Sequence, residues 1–229
     1  MVIGDNMSKF KIMSLDLTPP TLGVPISRKK QKKKMDIISS YIHEEKDPFA
    51  AILLQGKTAY KQGFKLAENS NYKVFTAKNV PSAILLRDDI KAVGWFEIPN
   101  IGNVIIVPTM YQYLSLFSVS LSKERNVKKF SNEYECHINP TKEKSTDLQL
   151  IGGSFPQTEK RDSFVDIYHL SDLSKEVVSK CPELANDKYS IFASDGMSFS
   201  NTSRQIGMVK EKMIKHCPMI TTATIKAKK

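Results

Sequence analysis

Two adjacent pairs of cysteine and histidine, Cys136-His137 and His216-Cys217, carry side chains that commonly bind zinc. Adjacent residues of an extended strand point to opposite faces, so each pair can supply a single ligand. Neither pair belongs to a motif with the ligand spacing of a zinc site, and no Cys-x-x-Cys is present. The sequence therefore predicts no metal site and no cofactor.

Two further stretches raise the question of a binding or catalytic site. DLQLIGGSFPQ, at 147–157, is an apolar run that reaches a double glycine and then Ser154. Two glycines are too few for a phosphate-cradling loop, so the end of a buried strand is the favoured interpretation. Trp95 and Phe96 have rings that could stack on a nucleic-acid base, but packing within the protein is the favoured interpretation.

The positive charge of the chain is concentrated in two short segments. The formal net charge is +10 over 229 residues, and RKKQKKK at 28–34 together with the terminal KAKK at 226–229 holds the excess, so the rest is almost neutral. Such patches favour a phosphate backbone or an anionic membrane surface. The alternative is that neither segment binds a partner: the first would be the solvated start of a helix, and the second a frayed tail.

Cysteine usage and the absence of targeting segments predict the compartment. The three cysteines are an odd number without disulfide-framework spacing, which indicates free thiols in a reducing environment. The opening MVIGDNMSKF is not a signal peptide, and no run has transmembrane length. We therefore expect an intracellular protein, cytoplasmic or nuclear, and the basic run also fits a nuclear address.

The pattern of apolar runs predicts the fold class. Strands are expected at FKIMSL, FAAILLQ, LQLIGG and PMITTATIKA, and antiparallel pairs at 72–77 with 82–90 and at 103–108 with 114–121. Helical spacing of Met35, Ile38 and Ile42 predicts a helix capped by Ser27. The charged stretch KERNVKKFSNEYECHINPTKEKSTD, at 123–147, predicts a helix with a loop. This order predicts an α/β layered sandwich of two mixed, largely antiparallel sheets flanked by helices. One domain at 10–225 is expected, with a flexible amino terminus at 1–9 and a basic tail at 226–229. No internal repeat stands out.

The motifs also fall in the order of a known family. The chain resembles the endonuclease/exonuclease/phosphatase superfamily, which has the DNase I-like fold, and is most similar to the endonuclease domain of non-long-terminal-repeat retrotransposons. The resemblance covers nearly the whole chain, and the series of motifs carries it rather than any one of them. The matching segments are FKIMSLDL, RKKQKKKMDIISSYI, DPFAAILLQG, YKVFTAKNVPSAILLRDDI, LFSVSLSK, LIGGSFP, FVDIYHL, YSIFASDGMSFSNTSRQIGMV and KHCPMI.

The resemblance implies a magnesium-dependent phosphodiesterase site from which most catalytic groups have been lost. In the family a glutamate binds magnesium, an Asp and an Asn orient water and phosphate, a His with an Asp partner acts in acid–base chemistry, and a Tyr and an Asn hold the phosphate. In this chain Asp16 lies at the position of the first Asn, and Gly56 at that of the Glu. Ser120 replaces the Tyr, Lys123 the Asn after it, and Ser154 and Pro156 the Asp and Asn of the strand end. Gly207 and Lys215 replace two further Asp residues, whereas His216 is retained.

These departures predict a pseudoenzyme that binds nucleic acid non-specifically, because removing carboxylates and adding lysines makes the cleft more positive. The expected phosphate contacts are Arg28, Lys29, Lys30, Lys32, Lys33, Lys34, Lys123, Arg204 and Lys215. The first alternative is a viral accessory or matrix-type interaction protein whose basic segment meets an anionic membrane or a protein partner. A weak residual metal-dependent nuclease is the second alternative.

Overall fold

Four helices and twelve strands lie in the residues that the computed structural model describes, which are 9–18, 27–68, 70–110, 112–121, 124–138, 148–175, 189–204 and 218–225. The helices are α1 (Arg28–Glu44), α2 (Ala59–Ala67), α3 (Glu124–Ile138) and α4 (Glu159–Ile167). The strands are β1 (Lys9–Asp16), β2 (Ala51–Gln55), β3 (Tyr72–Phe75), β4 (Ser82–Arg87), β5 (Gly94–Ile98), β6 (Gly102–Pro108), β7 (Tyr113–Ser120), β8 (Leu148–Ser154), β9 (Leu170–Asp172), β10 (Tyr189–Ser194), β11 (Met197–Arg204) and β12 (Met219–Ile225).

The strands form two six-stranded sheets with the same internal arrangement. The first sheet has the order β11-β12-β1-β2-β4-β3, and the second has the order β5-β6-β7-β8-β10-β9. In each sheet the two central strands are parallel, β1 with β2 and β7 with β8, whereas the other pairs are antiparallel. This structural repeat was not visible in the sequence, because it lies in the order of strand pairing and not in shared residues.

Apolar side chains fill three layers. Leu53, Ile105 and Leu116 belong to the layer between the sheets. A second cluster, which includes Ile38 of α1, covers the outer face of the first sheet. A third, which includes Phe130 of α3 and side chains of α4, covers the outer face of the second sheet. The predicted layered sandwich of two mixed sheets flanked by helices is confirmed.

Most predicted elements are present, and the elements that were not predicted include α2 and β5. Ser27 caps α1 by accepting the backbone N–H of Lys30, and both predicted antiparallel pairs form. Helix α2 was missed because it carries Gly63, a poor helix former that is buried here. A Cβ at Gly63 would lie 3.1 Å from the Cβ of Ala83, so the glycine permits close packing of α2 on β4. Strand β5 was missed because four of its five residues are not buried.

A buried ion pair joins α4 to β9. Arg161 Nη2 lies 2.5 Å from Asp172 Oδ2, and these side chains are 10% and 2% exposed. Asp172 also accepts the backbone N–H and the hydroxyl of Ser174, while the guanidinium lies 5.3 Å from the ring centre of Phe192. Removing one partner of such a pair leaves a buried charge without compensation.

We therefore expect Asp172→Asn to lower the free energy of unfolding by about 3–5 kcal/mol in chemical denaturation. The control is Lys160→Ala, which removes the neighbouring surface pair of Lys160 with Glu124, whose side chains are 53% and 49% exposed. That change should cost less than about 1 kcal/mol. Equal costs for the two variants would show that burial does not determine the strength of the Arg161–Asp172 pair.

Candidate functional site

The carboxyl ends of the two parallel strand pairs meet at one end of the sandwich, which we call the strand-end surface. Asp16 pairs with Gln55 at the ends of β1 and β2, and Ser120 pairs with Ser154 at the ends of β7 and β8. In the first sheet the Leu17 N–H donates to the Gln55 carbonyl at 2.8 Å. β2 packs against both β7 and β8, so all four strand ends lie close together. The structure thus groups the predicted positions 16, 56, 120 and 154.

A buried hydrogen-bond network under this surface joins the two sheets. Gln55 Nε2 donates to Ser118 Oγ at 2.9 Å, and lies 3.3 Å from both Ser14 Oγ and the Gly152 carbonyl oxygen. The Ser118 hydroxyl donates in turn to the Leu54 carbonyl at 2.9 Å. Because Gln55, Ser118 and Ser14 are 0% exposed, these bonds form in a water-poor interior.

The double glycine is part of β8 and lets the backbones of the two sheets approach. A Cβ on Gly152 would lie 2.4 Å from Ser14 Oγ and 2.7 Å from Leu53 Cδ1, both on the first sheet. A Cβ on Gly153 would lie 2.3 Å from the Val119 carbonyl oxygen of the neighbouring strand. The glycines therefore have a packing role within a strand that continues to Ser154, and the prediction of a strand end is confirmed.

Asp16 is buried beneath the strand-end surface. The residue is 3% exposed, and its Oδ1 accepts a hydrogen bond from the Thr18 backbone N–H at 2.8 Å. The ammonium group of Lys34 is its nearby electrostatic partner. Among the family positions at the ends of β1, β2, β7 and β8, Asp16 is the one that carries a carboxylate.

Lys34 does not lie on the surface with the other lysines of its run. The residue is 3% exposed, and Nζ donates to the Leu17 carbonyl at 2.8 Å. Burial lowers the pKa of Lys34 to about 8, and the charge of Asp16 acts in the opposite direction. The prediction that Lys34 contacts phosphate is therefore at odds with its position. Its place four residues before the buried Ile38 was a signal in the sequence that it shares the buried helix face.

Gly56, where the resemblance places a metal-binding glutamate, has a backbone conformation that a glutamate adopts with difficulty. Its φ is +107°, in the region that favours glycine. A Cβ there would lie 3.1 Å from both the backbone nitrogen and Oγ1 of Thr18, and 3.5 Å from Asp16 Oδ1. The turn after β1 therefore occupies the space that a side chain at position 56 would need.

The remaining family positions supply no charged ligand in the part of the chain that the structure describes. Ser120 and Ser154 are half-buried and Pro156 is buried. Within the described residues, no group of three or more His, Cys, Asp or Glu side chains could hold a metal ion. Lys123, Gly207, Lys215 and His216 lie outside the described residues, as do the side chains of Arg28 and Arg204.

The cysteine–histidine pairs need one correction. Cys136 is an exposed, free cysteine on α3, in the stretch where the sequence predicts a helix with a loop, so the argument from an extended strand does not apply to this pair. On a helix, adjacent residues point about 100° apart, so the pair still does not converge on one ion. The second pair, His216-Cys217, lies outside the described residues.

Exposed lysines lie in the first turns of α1, the helix that contacts the end of the first sheet through Lys34. α1 follows the turn after β1, and the contact of Lys34 with Leu17 places its first turns beside the strand-end surface. The exposed lysines of this part of α1 are Lys29, Lys30, Lys32 and Lys33.

Two exposed lysines that we did not predict lie at the same end. Lys57 directly follows Gly56, and Lys78 lies in the loop whose Pro81 carbonyl accepts the Gly56 N–H at 2.9 Å. Lys57 could have been predicted from the sequence, because it lies next to a predicted strand end. The position of Lys78 required the pairing of β4 with β2.

Comparison with solved structures defines the fold. A humanized zebrafish TDP2 matches 95% of this chain and 99% of its own, with a TM-score of 0.67 and 14% identity. An endonuclease/exonuclease/phosphatase from Bacteroides vulgatus matches the same shares, with a TM-score of 0.71 and 7% identity. The human nocturnin catalytic domain, solved with a sulfate anion, matches 97% of this chain and 96% of its own, with a TM-score of 0.68 and 12% identity.

The chain therefore has the DNase I-like fold of the endonuclease/exonuclease/phosphatase proteins. No protein-family model matches the sequence, and no curated protein matches it either. None of the helices in the described ranges is both long enough and apolar enough to cross a membrane.

The conformation of Gly56 leads to a stability prediction. Gly56→Ala should lower the free energy of unfolding by about 1–3 kcal/mol, because alanine is strained at positive φ. The control is Gly94→Ala, whose Cβ would meet side-chain atoms of Ile106 and Phe96 at 3.3 Å. Thermal or urea unfolding would measure both, and a smaller loss at Gly56 than at Gly94 would contradict the role of the turn.

The buried position of Lys34 leads to a pH prediction. The pKa of Lys34 is about 8 in the folded protein against 10.5 for the ordinary side chain. Between these values the unfolded chain binds a proton that the folded protein lacks, so this lysine's contribution to stability rises with pH. The difference in unfolding free energy between wild type and Lys34→Met should rise by up to about 3 kcal/mol from pH 8 to 10.5. A difference that stays constant would contradict the burial of the charge.

Proposed function

We propose that this protein is a catalytically inactive relative of retrotransposon-type endonucleases that binds nucleic acid without sequence preference at its strand-end surface. One observation carries the proposal. The exposed lysines lie on α1, the helix whose Lys34 contacts Leu17, and among the predicted site positions at the described strand ends Asp16 is the one that carries a carboxylate. A surface of this composition attracts a phosphate backbone, and its described residues do not supply the carboxylates that usually hold a catalytic magnesium ion.

The lack of magnesium ligands supports inactivity. Magnesium is usually held in proteins by one or two carboxylates together with the phosphates of the substrate. Asp16 is buried, with Oδ1 bonded to the Thr18 N–H and the Lys34 ammonium nearby. Gly56 and Ser154 add no carboxylate. Loss of several members of a catalytic unit lowers a rate by many orders of magnitude.

The start of α1 supports binding of an anion. Its first turn contains no acidic residue, and its exposed lysines add positive charge where the helix dipole is already positive. This arrangement is unfavourable in the free protein, and a bound phosphate backbone relieves it by neutralising several lysines together. Lys57 and Lys78 extend the same positive surface past Gly56.

The test is a charge-reversal variant with a matched control. The test variant changes Lys29, Lys30, Lys32 and Lys33 to Glu. The control changes Lys9, Lys46, Lys73 and Lys91 to Glu, which are equally exposed lysines at the end of the sandwich where β1 and β2 begin. Both variants change the net charge equally, so they separate a local site from the overall charge.

We expect wild-type affinity for a labelled oligonucleotide, measured by anisotropy, to fall steeply with added salt. The test variant should bind at least about tenfold more weakly at low salt, with a smaller salt slope, whereas the control should lose far less. Equal losses in the two variants, or no binding at low salt, would refute the proposal. Retention on anionic vesicles without oligonucleotide binding would favour the membrane-binding alternative instead.

A further inference from the structure

An exposed tryptophan lies at the open edge between the two sheets. Trp95, on the edge strand β5, is the single tryptophan of the chain and is 45% exposed. Its ring meets Phe75, at the end of β3, at 6.4 Å between centres and 61° between planes. The rings are therefore not stacked in parallel. Packing within the protein, which the sequence favoured as the role of Trp95, covers only part of the surface of its ring.

A chain of contacts connects Trp95 to the strand-end surface. Trp95 Nε1 lies 3.4 Å from Asn103 Oδ1, and Asn103 Nδ2 donates to the Ser82 carbonyl and hydroxyl at 2.9 and 2.8 Å. Ser82 pairs with Gln55 at the end of β2, and the preceding Pro81 accepts the Gly56 N–H. Asn103 and Ser82 are both 0% exposed, so this connection is shielded from water. The indole is thus linked from within the protein to the buried side chains beneath the strand-end surface.

We infer that Trp95 stacks on an unpaired base, and that the protein therefore binds single-stranded nucleic acid in preference to a duplex. This inference rests on the proposed function and specifies its ligand. An aromatic side chain next to a positive surface is the arrangement by which single strands are bound without sequence preference, because every base has a face that can stack. In a duplex these faces are covered by neighbouring base pairs, so Trp95 adds nothing to duplex binding.

Two charged side chains on the described residues bear on this binding mode, and one of them opposes it. Lys78 is exposed in the loop that joins β4 to β3, whose last residue Phe75 contacts Trp95, and we assign it the phosphate next to the stacked base. Glu97, exposed on the same face of β5 as Trp95, repels phosphate. Glu97→Gln is therefore expected to tighten single-strand binding severalfold.

The experiment titrates the full chain with a single-stranded oligonucleotide and with a hairpin duplex of equal phosphate number at the same salt. Anisotropy of a labelled oligonucleotide reports binding, and the emission of the single tryptophan reports stacking. We expect the single strand to bind more tightly and to quench Trp95. Trp95→Ala should weaken single-strand binding about tenfold without changing duplex binding, and Trp95→Phe should weaken it less. Tyr113→Ala is the control, because Tyr113 is 44% exposed at the opposite end of the second sheet.

Each outcome bears on the inference separately from the proposed function. Binding of both oligonucleotides with equal affinity, unquenched Trp95 emission and no effect of either Trp95 variant would overturn the inference and leave the proposed function standing. Absence of binding to both oligonucleotides by anisotropy would overturn both. If Trp95→Ala fails to fold, quenching in the wild type and the affinity of Trp95→Phe decide the question.

Discussion

The close approach of the two sheets at Gly152 is the constraint on which the rest of the structure depends. There is no room for a Cβ at this position, because Ser14 and Leu53 of the first sheet occupy the space. The approach brings Gln55 within hydrogen-bonding distance of Ser118 on the second sheet. A buried amide that bonds across the interface also fixes the register of the sheets, since any slip would leave polar groups unpaired.

The same constraint gathers the ends of four strands on one surface, where an enzyme of this fold class would need its ionic ligands. In this chain the surface has a different electrostatic character. Asp16 is drawn inward by the Thr18 N–H and the charge of Lys34, and Gly56 has a conformation that excludes most side chains. The exposed charges that remain beside the strand ends in the described residues are largely lysines, a composition that suits binding of a phosphate backbone more than its cleavage.

Features set by local pattern could be predicted from the sequence, whereas features set by neighbours distant in the chain could not. Apolar runs and turns located most strands, and the cap at Ser27 located α1. The crowding around Gly56 depends on the turn after β1, and the exposure of Trp95 depends on its place at a sheet edge. The burial of Lys34 was only partly predictable, because helical periodicity placed it on the buried face of α1 while its charge suggested the surface.

The most direct test of the central claim is incubation of supercoiled plasmid with the purified protein and magnesium or manganese. Half of each sample is run on a gel intact, and half is deproteinised first. The account predicts plasmid that is retarded in the intact sample and fully supercoiled after deproteinisation. Relaxed circles that form with the wild-type protein and disappear with Asp16→Ala would contradict it.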